Sequence, residues 1–258
     1  MSTPPHASRR RPGIVAGFAI AVAFLTRVPI GPPAEAGWRL ADAAWAFPLV
    51  GAGIGAIAAF VYLVAEILGL GPGPAALLAV LAGLGVTGAL HEDGLADTAD
   101  GFFSGGDRER RLAIMRDSRH GTYGILALVL SVGLRAAALA QTGEAFYAGL
   151  ALIAAHSASR ALLPAAMRAL PPARDDGLGA DAGRPGALSI LAAAAIGAAI
   201  ALAALGPLLG ALAFAASAAA VLAAAIFAFR RIGGGTGDVL GAFQQIAEIV
   251  ILLAAAAR

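Results

Sequence analysis

Residues 187–229 read ALSILAAAAIGAAIALAALGPLLGALAFAASAAAVLAAAIFAF, two apolar runs (187–205 and 207–229) meeting at Gly206-Pro207. A helix needs about 20 such residues to cross the hydrocarbon layer of a bilayer, and each run is long enough. Working outward from this stretch, comparable segments occupy 43–69, 74–90, 122–140, 145–166 and 239–257. The pattern predicts an all-α, polytopic integral membrane helix bundle with about seven transmembrane helices. Segment 13–28 is short for a span and is read as an N-terminal interfacial or re-entrant helix. Residues 1–258 read as a single transmembrane domain, with 1–12 expected to be a disordered basic arm.

Composition supports this class. The 258 residues are 59% hydrophobic and 13% charged, with mean hydropathy +0.82; a soluble domain carries about 25% charged residues. No cysteine is present, which excludes disulfides, thiol catalysis and cysteine-based metal sites. The net charge of +2 is too small to argue for a nucleic-acid partner. The bilayer is the expected partner, and the reading leaves room for a homo-oligomer. The basic start followed by an apolar stretch resembles a signal peptide, but the stretch ends in Thr26-Arg27-Val28-Pro29 without a small-residue cleavage site, so it is read as retained. The many glycines, as in Gly51-Ala52-Gly53-Ile54-Gly55, suit close helix packing.

All 18 basic residues are arginines, and their distribution sets an orientation. With the N-terminus inside and seven spans, Arg9, Arg10, Arg11, Arg27 and Arg39 fall on the cytoplasmic side. So do Arg108, Arg110, Arg111, Arg116, Arg119, Arg168, Arg174, Arg184, Arg230 and Arg231. The outer loops carry none, and Arg258 alone is left outside, in keeping with the positive-inside rule. The loops 91–121, 167–186 and 232–238 are therefore expected to share the cytoplasmic face of the (inner) cell membrane.

Residues 91–121, HEDGLADTADGFFSGGDRERRLAIMRDSRHG, carry most of the chemistry. With no breaker before His91, helix 74–90 is expected to run on into this motif. Steps of four and three residues put Asp93, Asp97 and Asp100 in one stripe, with Asp117 downstream. Like charges so close call for a cation among them. Oxygen donors without His or Cys point to a hard ion, most simply Mg²⁺. The four aspartates are therefore the candidate metal ligands, and His91 a candidate base, ligand or hydrogen-bond partner. Arg111, Arg116 and Arg119 are candidate phosphate contacts because guanidinium forks match phosphate oxygens.

Near the C-terminus, Arg231-Ile-Gly-Gly-Gly-Thr-Gly-Asp238 enters the last span. A glycine-rich turn feeding a helix offers N–H groups to an anion, which makes Thr236 and Gly237 candidate substrate contacts. Asp238 is either a catalytic carboxylate or a helix cap. Charged residues inside spans are costly and are functional hypotheses by default; Ser159, Arg160 and Glu248 are expected to line the pocket. Arg135 reads either as one of these functional residues or as a structural bridge to Glu248 or Glu66.

Asp97-x-x-Asp100-Gly101 resembles the opening of the motif of CDP-alcohol phosphotransferases, in which four aspartates hold divalent metal over a pyrophosphate; here a matching fourth aspartate is absent. A longer resemblance spans nearly the whole chain. It runs through Phe24-Leu-Thr-Arg-Val-Pro29, Phe47-Pro-Leu-Val-Gly51, His91-x-Asp-Gly-Leu-Ala-Asp-Thr-x-Asp-Gly101 and Arg111-x-x-Ile-Met-Arg-Asp-Ser-Arg119. It continues through Gly121-Thr-x-Gly124, Ser159-Arg160, Asp176-Gly-Leu-Gly179 and Gly234-x-Thr-Gly-Asp-x-Leu-Gly241. Together these resemble the adenosylcobinamide-GDP ribazoletransferase (cobalamin synthase) family. The resemblance implies a Mg²⁺-dependent membrane enzyme with two substrates, adenosylcobinamide-GDP and α-ribazole or its 5′-phosphate. The implied products are adenosylcobalamin, or its 5′-phosphate, and GMP. Two other classes stay open at this point: a CDP-alcohol phosphotransferase of lipid synthesis and a transporter. A transporter should place its polar residues at the bilayer midplane in broken helices.

Overall fold

The structure, a computed structural model, describes residues 12–31 and 38–257. The expected basic arm lies almost entirely outside the described residues. The chain there is all-helical: α1 (Ile14–Leu25), α2 (Leu40–Ala43), α3 (Phe47–Ile67), α4 (Pro72–Thr87), α5 (Leu90–Phe103), α6 (Arg108–Ile114) and α7 (Thr122–Gln141). Then follow α8 (Ala145–Ala161), α9 (Leu163–Ala169), α10 (Leu178–Asp181), α11 (Ala187–Leu205), α12 (Pro207–Ile232) and α13 (Gly237–Ala256). Among the described residues six helical segments are long and apolar enough to cross a membrane, and the bent pair α4–α5 makes a seventh. α1, at 12 residues, is too short to span, as expected.

Small residues set the packing. α8 lies at the centre, and the segment Ala145–Ala169 is 78% buried against 17% for α11. Gly51 and Gly55 bring α3 onto α8 backbone to backbone; a Cβ at Gly55 would stand 2.6 Å from the Leu152 carbonyl oxygen. Such contacts replace the hydrophobic driving force that helices lack inside lipid. α11 and α12 carry exposed leucines, among them Leu188, Leu191, Leu208, Leu212 and Leu222, as a lipid-facing surface should.

One expectation about the acidic motif needs correction. Helix 74–90 does not continue into it. α4 ends at Gly88 in the left-handed region (φ 63°), Ala89 follows in the same region (φ 55°), and α5 leaves at 93° to α4. Two successive left-handed residues reverse the local path of the chain, which no helix interior tolerates. The break is held from outside: Arg27 N–H donates to the Val86 carbonyl at 2.7 Å, and the Arg27 side chain packs where a Gly88 Cβ would stand. For a non-glycine residue this conformation costs on the order of 1–3 kcal/mol, and such strain clusters at functional sites.

The loops 91–121, 167–186 and 230–238 meet at one end of the bundle. Arg108 donates through Nη2 to the Ala173 carbonyl at 2.5 Å and through Nε to the Ile232 carbonyl at 2.9 Å. Arg116 pairs with Asp176 at 2.5 Å. Gly235 and Pro172 form a short parallel bridge. At the opposite end Ala145 N–H donates to Glu66 at 3.2 Å, and Gln141 donates to the Ala256 carbonyl at 3.1 Å.

Candidate functional site

The bend turns α5 so that it lies against the start of α13. Gly94 and Gly241 form the crossing. A Cβ on Gly94 would stand 2.7 Å from the Asp238 carbonyl oxygen, and one on Gly241 would stand 3.2 Å from the His91 carbonyl oxygen. Glycine at both positions lets the two backbones touch, and Asp238 is thereby carried to the acidic stripe. Asp97 lies within electrostatic range of Asp93, Asp238, Asp100 and His120. Asp93 is exposed and Asp97 part-exposed, with the His120 ring nitrogen 3.7 Å from Asp97.

The glycine-rich turn divides its tasks. Gly233 ends α12 in the left-handed region (φ 72°), a common helix stop. Gly234 and Gly235 lie along 171–173, with Gly235 N–H donating to the Pro171 carbonyl and Ala173 N–H to the Gly235 carbonyl, both at 2.9 Å. Thr236, not Asp238, caps α13: its Oγ1 accepts from Val239 N–H at 3.3 Å. Asp238 Oδ2 accepts from Thr236 Oγ1 at 3.1 Å and from Arg174 Nη2 at 3.3 Å.

A cleft of about 170 Å³ opens over this junction. His91, Asp93, Arg174, Gly237 and Asp238 line it, as do the apolar Phe24, Phe47, Leu163 and Met167. No three His, Cys, Asp or Glu side chains among the described residues are gathered so as to hold a metal by themselves.

The other predicted residues are engaged elsewhere. Both oxygens of the buried Asp100 accept backbone N–H groups, Oδ2 from Gly121 at 2.6 Å and Oδ1 from Gly124 at 2.9 Å. Its charge thus sits on the N-terminus of α7, where the helix dipole favours it. Asp117 is clamped by Arg119, with Nη2 to Oδ2 at 2.7 Å and Nε to Oδ1 at 3.0 Å. That fork holds the Asp117 carboxyl down at about 2. Arg111 is buried and donates to the Phe102 carbonyl at 2.5 Å, closing the end of α5.

Ser159, Arg160 and Glu248 are 0–2% exposed and form part of an internal polar network that does not line the cleft. Glu248 Oε1 takes Arg135 Nη1 at 3.1 Å; its Oε2 takes Gln244 Nε2 at 2.5 Å and lies 3.2 Å from His156 Nδ1. Arg135 Nη1 also meets Glu92 Oε1 at 2.9 Å, and Gln245 Nε2 donates to the same oxygen at 2.9 Å. Arg135 is therefore a bridge, one of its two expected readings, to Glu248 and also to Glu92; Glu66 takes no part.

The family model described as Cobalamin-5-phosphate synthase matches residues 17–256, a span that holds the whole of this junction and network. The chain belongs to the cobalamin-5-phosphate synthase family. Several relatives are described as adenosylcobinamide-GDP ribazoletransferase. One from Bradyrhizobium diazoefficiens is 51% identical, covering 95% of this chain and 94% of the relative. One from Mesorhizobium japonicum is 46% identical over 94% and 93%, and one from Brucella canis 40% identical over 95% and 97%. No solved structure matches the chain.

For this member of the family, the structure adds three site features that the sequence alone did not single out. Arg174, counted there only for topology, faces Asp238. Glu92, inside the motif but without a role, anchors α5 to α7 and α13. Phe24 and Phe47, noted only as parts of matching stretches, line the cleft. A signal existed for Glu92 alone, since an acidic residue beside an apolar helix invites a search for its partner. The contacts of Arg174 and the phenylalanines depend on tertiary packing.

Proposed function

We propose that the protein is a membrane transferase that joins adenosylcobinamide-GDP to α-ribazole or its 5′-phosphate, yielding adenosylcobalamin or its 5′-phosphate and releasing GMP. The observation that carries this reading is the junction of α5 and α13. There Asp93, Asp97 and Asp238 converge beside Arg174 in a chain whose relatives bear that activity in their names. A ribose hydroxyl of the acceptor attacks the phosphorus that carries the cobinamide alcohol. The bond from that phosphorus to the bridging oxygen of the pyrophosphate breaks, and GMP leaves with the electron pair.

Asp238 suits the role of proton acceptor. Its Oδ2 is engaged by Thr236 and Arg174, which leaves Oδ1 for the hydroxyl. Arg174 neutralises phosphate oxygens on the same side of the cleft. Asp93 and Asp97 are the donors suited to Mg²⁺. That ion is commonly bound by one or two carboxylates completed by substrate phosphates, so a donor pair without a closed cage fits a cation that arrives with the pyrophosphate. When bound, it would neutralise charge on the departing GMP. Asp100 and Arg111 set the position of α5 from its far end. The active face is assigned to the cytoplasmic side of the cell membrane on the arginine distribution.

The reading is tested with purified protein, Mg²⁺, adenosylcobinamide-GDP and α-ribazole 5′-phosphate. GMP and a cobalamin product in equal amounts are expected, and chelation by EDTA should stop their formation. Absence of both products from folded protein would overturn the reading.

A further inference from the structure

The cleft over the α5–α13 junction has both polar and apolar walls. Its lining includes His91, Asp93, Arg174 and Asp238 together with Phe24, Phe47, Leu163 and Met167, and these four apolar side chains belong to one packed cluster. Phe24 and Phe47 stack on each other with ring centroids 6.4 Å apart and planes 14° from parallel. Phe47 is 1% exposed and held in the core, whereas Phe24 is half-buried on the short helix α1. A site of this form suits a molecule with a flat apolar ring at one end and a sugar hydroxyl at the other.

Resting on the function proposed above, we infer that the apolar lining is the subsite for the aromatic base of the nucleoside acceptor, with Phe24 as its specificity-determining wall. Both substrates carry a bicyclic ring, so the assignment has to choose between them. Guanine presents an amide and an amino group along its edge, and burying these unpaired is costly. The apolar lining offers them no side-chain partner: Phe24, Phe47, Leu163 and Met167 have no hydrogen-bonding group apart from the weakly accepting Met167 sulfur. A benzimidazole has no exocyclic donor or acceptor and leaves a single ring nitrogen to be satisfied, so it loses less there than guanine. Seated against Phe24, it lies in the same cleft as Asp238, where the attacking hydroxyl is needed. The donor's guanine is then left to the polar lining.

The test is a comparison of Phe24→Leu and Phe24→Tyr with the parent, measuring KM for each substrate separately. Loss of one base–aromatic contact is expected to raise KM for α-ribazole 5′-phosphate roughly ten-fold in Phe24→Leu. KM for adenosylcobinamide-GDP should be unchanged, and Phe24→Tyr should restore the parent value. Met167→Trp, which adds bulk to the apolar lining, should weaken the same substrate alone. A rise confined to adenosylcobinamide-GDP would place guanine against the apolar lining and overturn the inference. So would an equal rise for both substrates, or no change in any folded variant. Equilibrium binding of α-ribazole alone separates this inference from the reaction it rests on. If the parent transfers nothing, the functional reading fails. The subsite then stands only if the parent binds α-ribazole and Phe24→Leu binds it about ten-fold more weakly; no binding by the parent overturns the subsite as well.

Discussion

Replacing Arg135 by methionine keeps an unbranched apolar stem and removes the guanidinium that joins α7 to α5 and α13. Arg135 is 3% exposed, and its partners Glu92 and Glu248 have side chains 8% and 2% exposed, so water does not screen the pairs. Removing one member of a buried ion pair costs about 3–5 kcal/mol, because the other charge stays buried without compensation. The two carboxylates fare differently. Glu248 keeps His156 at 3.2 Å and Arg160 at 3.8 Å. Among the described residues Glu92 keeps the neutral Gln245 amide at 2.9 Å and the charge of Arg160 beyond hydrogen-bond range. Glu92 is therefore the less compensated of the two charges, and the second change Glu92→Gln should remove most of the penalty. Reversible unfolding in mixed micelles is the assay. Arg135→Met should lose about 3–5 kcal/mol, and Arg135→Met with Glu92→Gln should recover at least half of it. Because Glu92 adjoins Asp93, the single variant should also lose turnover. A single variant within about 1 kcal/mol of the parent, or a double variant no more stable than the single, would refute the network as a buried charge balance.

Asp238→Asn should lower turnover roughly a hundred-fold or more, the usual weight of a general base. Unfolding should stay within about 1 kcal/mol of the parent because Thr236 carries the cap; full activity would reduce Asp238 to a structural neighbour of Arg174. Orientation is open to cysteine labelling, since the chain has no cysteine of its own. Ser118→Cys, exposed beside the motif, should react with a membrane-impermeant thiol reagent only in inverted vesicles. Gly73→Cys, with open space around it at the other end of the bundle, should react only from outside. Reaction of both from the same side would contradict the odd number of crossings between these ends.

Much of this fold is written in hydropathy, which is local: the edges of α7, α8, α11 and α12 fall within a few residues of the apolar runs. The site is legible only in its membership. The spacing of Asp93, Asp97 and Asp100 marks one helix face, and the glycine-rich turn marks the entry to α13. What those groups do depends on partners far away in the chain. Asp100 caps α7 through Gly121 and Gly124. The cap of α13 falls to Thr236, which leaves Asp238 for Arg174, 64 residues away. The bend at Gly88-Ala89 is the least legible feature. Alanine is the strongest helix former, and the Arg27 side chain that packs against Ala89's neighbour comes from far back in the chain. Arg135 shows the intermediate case: its place in a span left an ion pair as one of two readings, while the choice of Glu92 over Glu66 required the three-dimensional arrangement.

The central claim is that the carboxylates gathered where α5 meets α13 transfer the cobinamide phosphate to the ribose hydroxyl. It is tested most directly by measuring GMP release from adenosylcobinamide-GDP, in the presence of Mg²⁺ and α-ribazole 5′-phosphate, by the parent and Asp97→Ala side by side. The parent should release one GMP for each cobalamin product. Asp97→Ala, matched to the parent in helical content and elution, should release none above the protein-free background. Near-parent GMP release by the variant would contradict the claim.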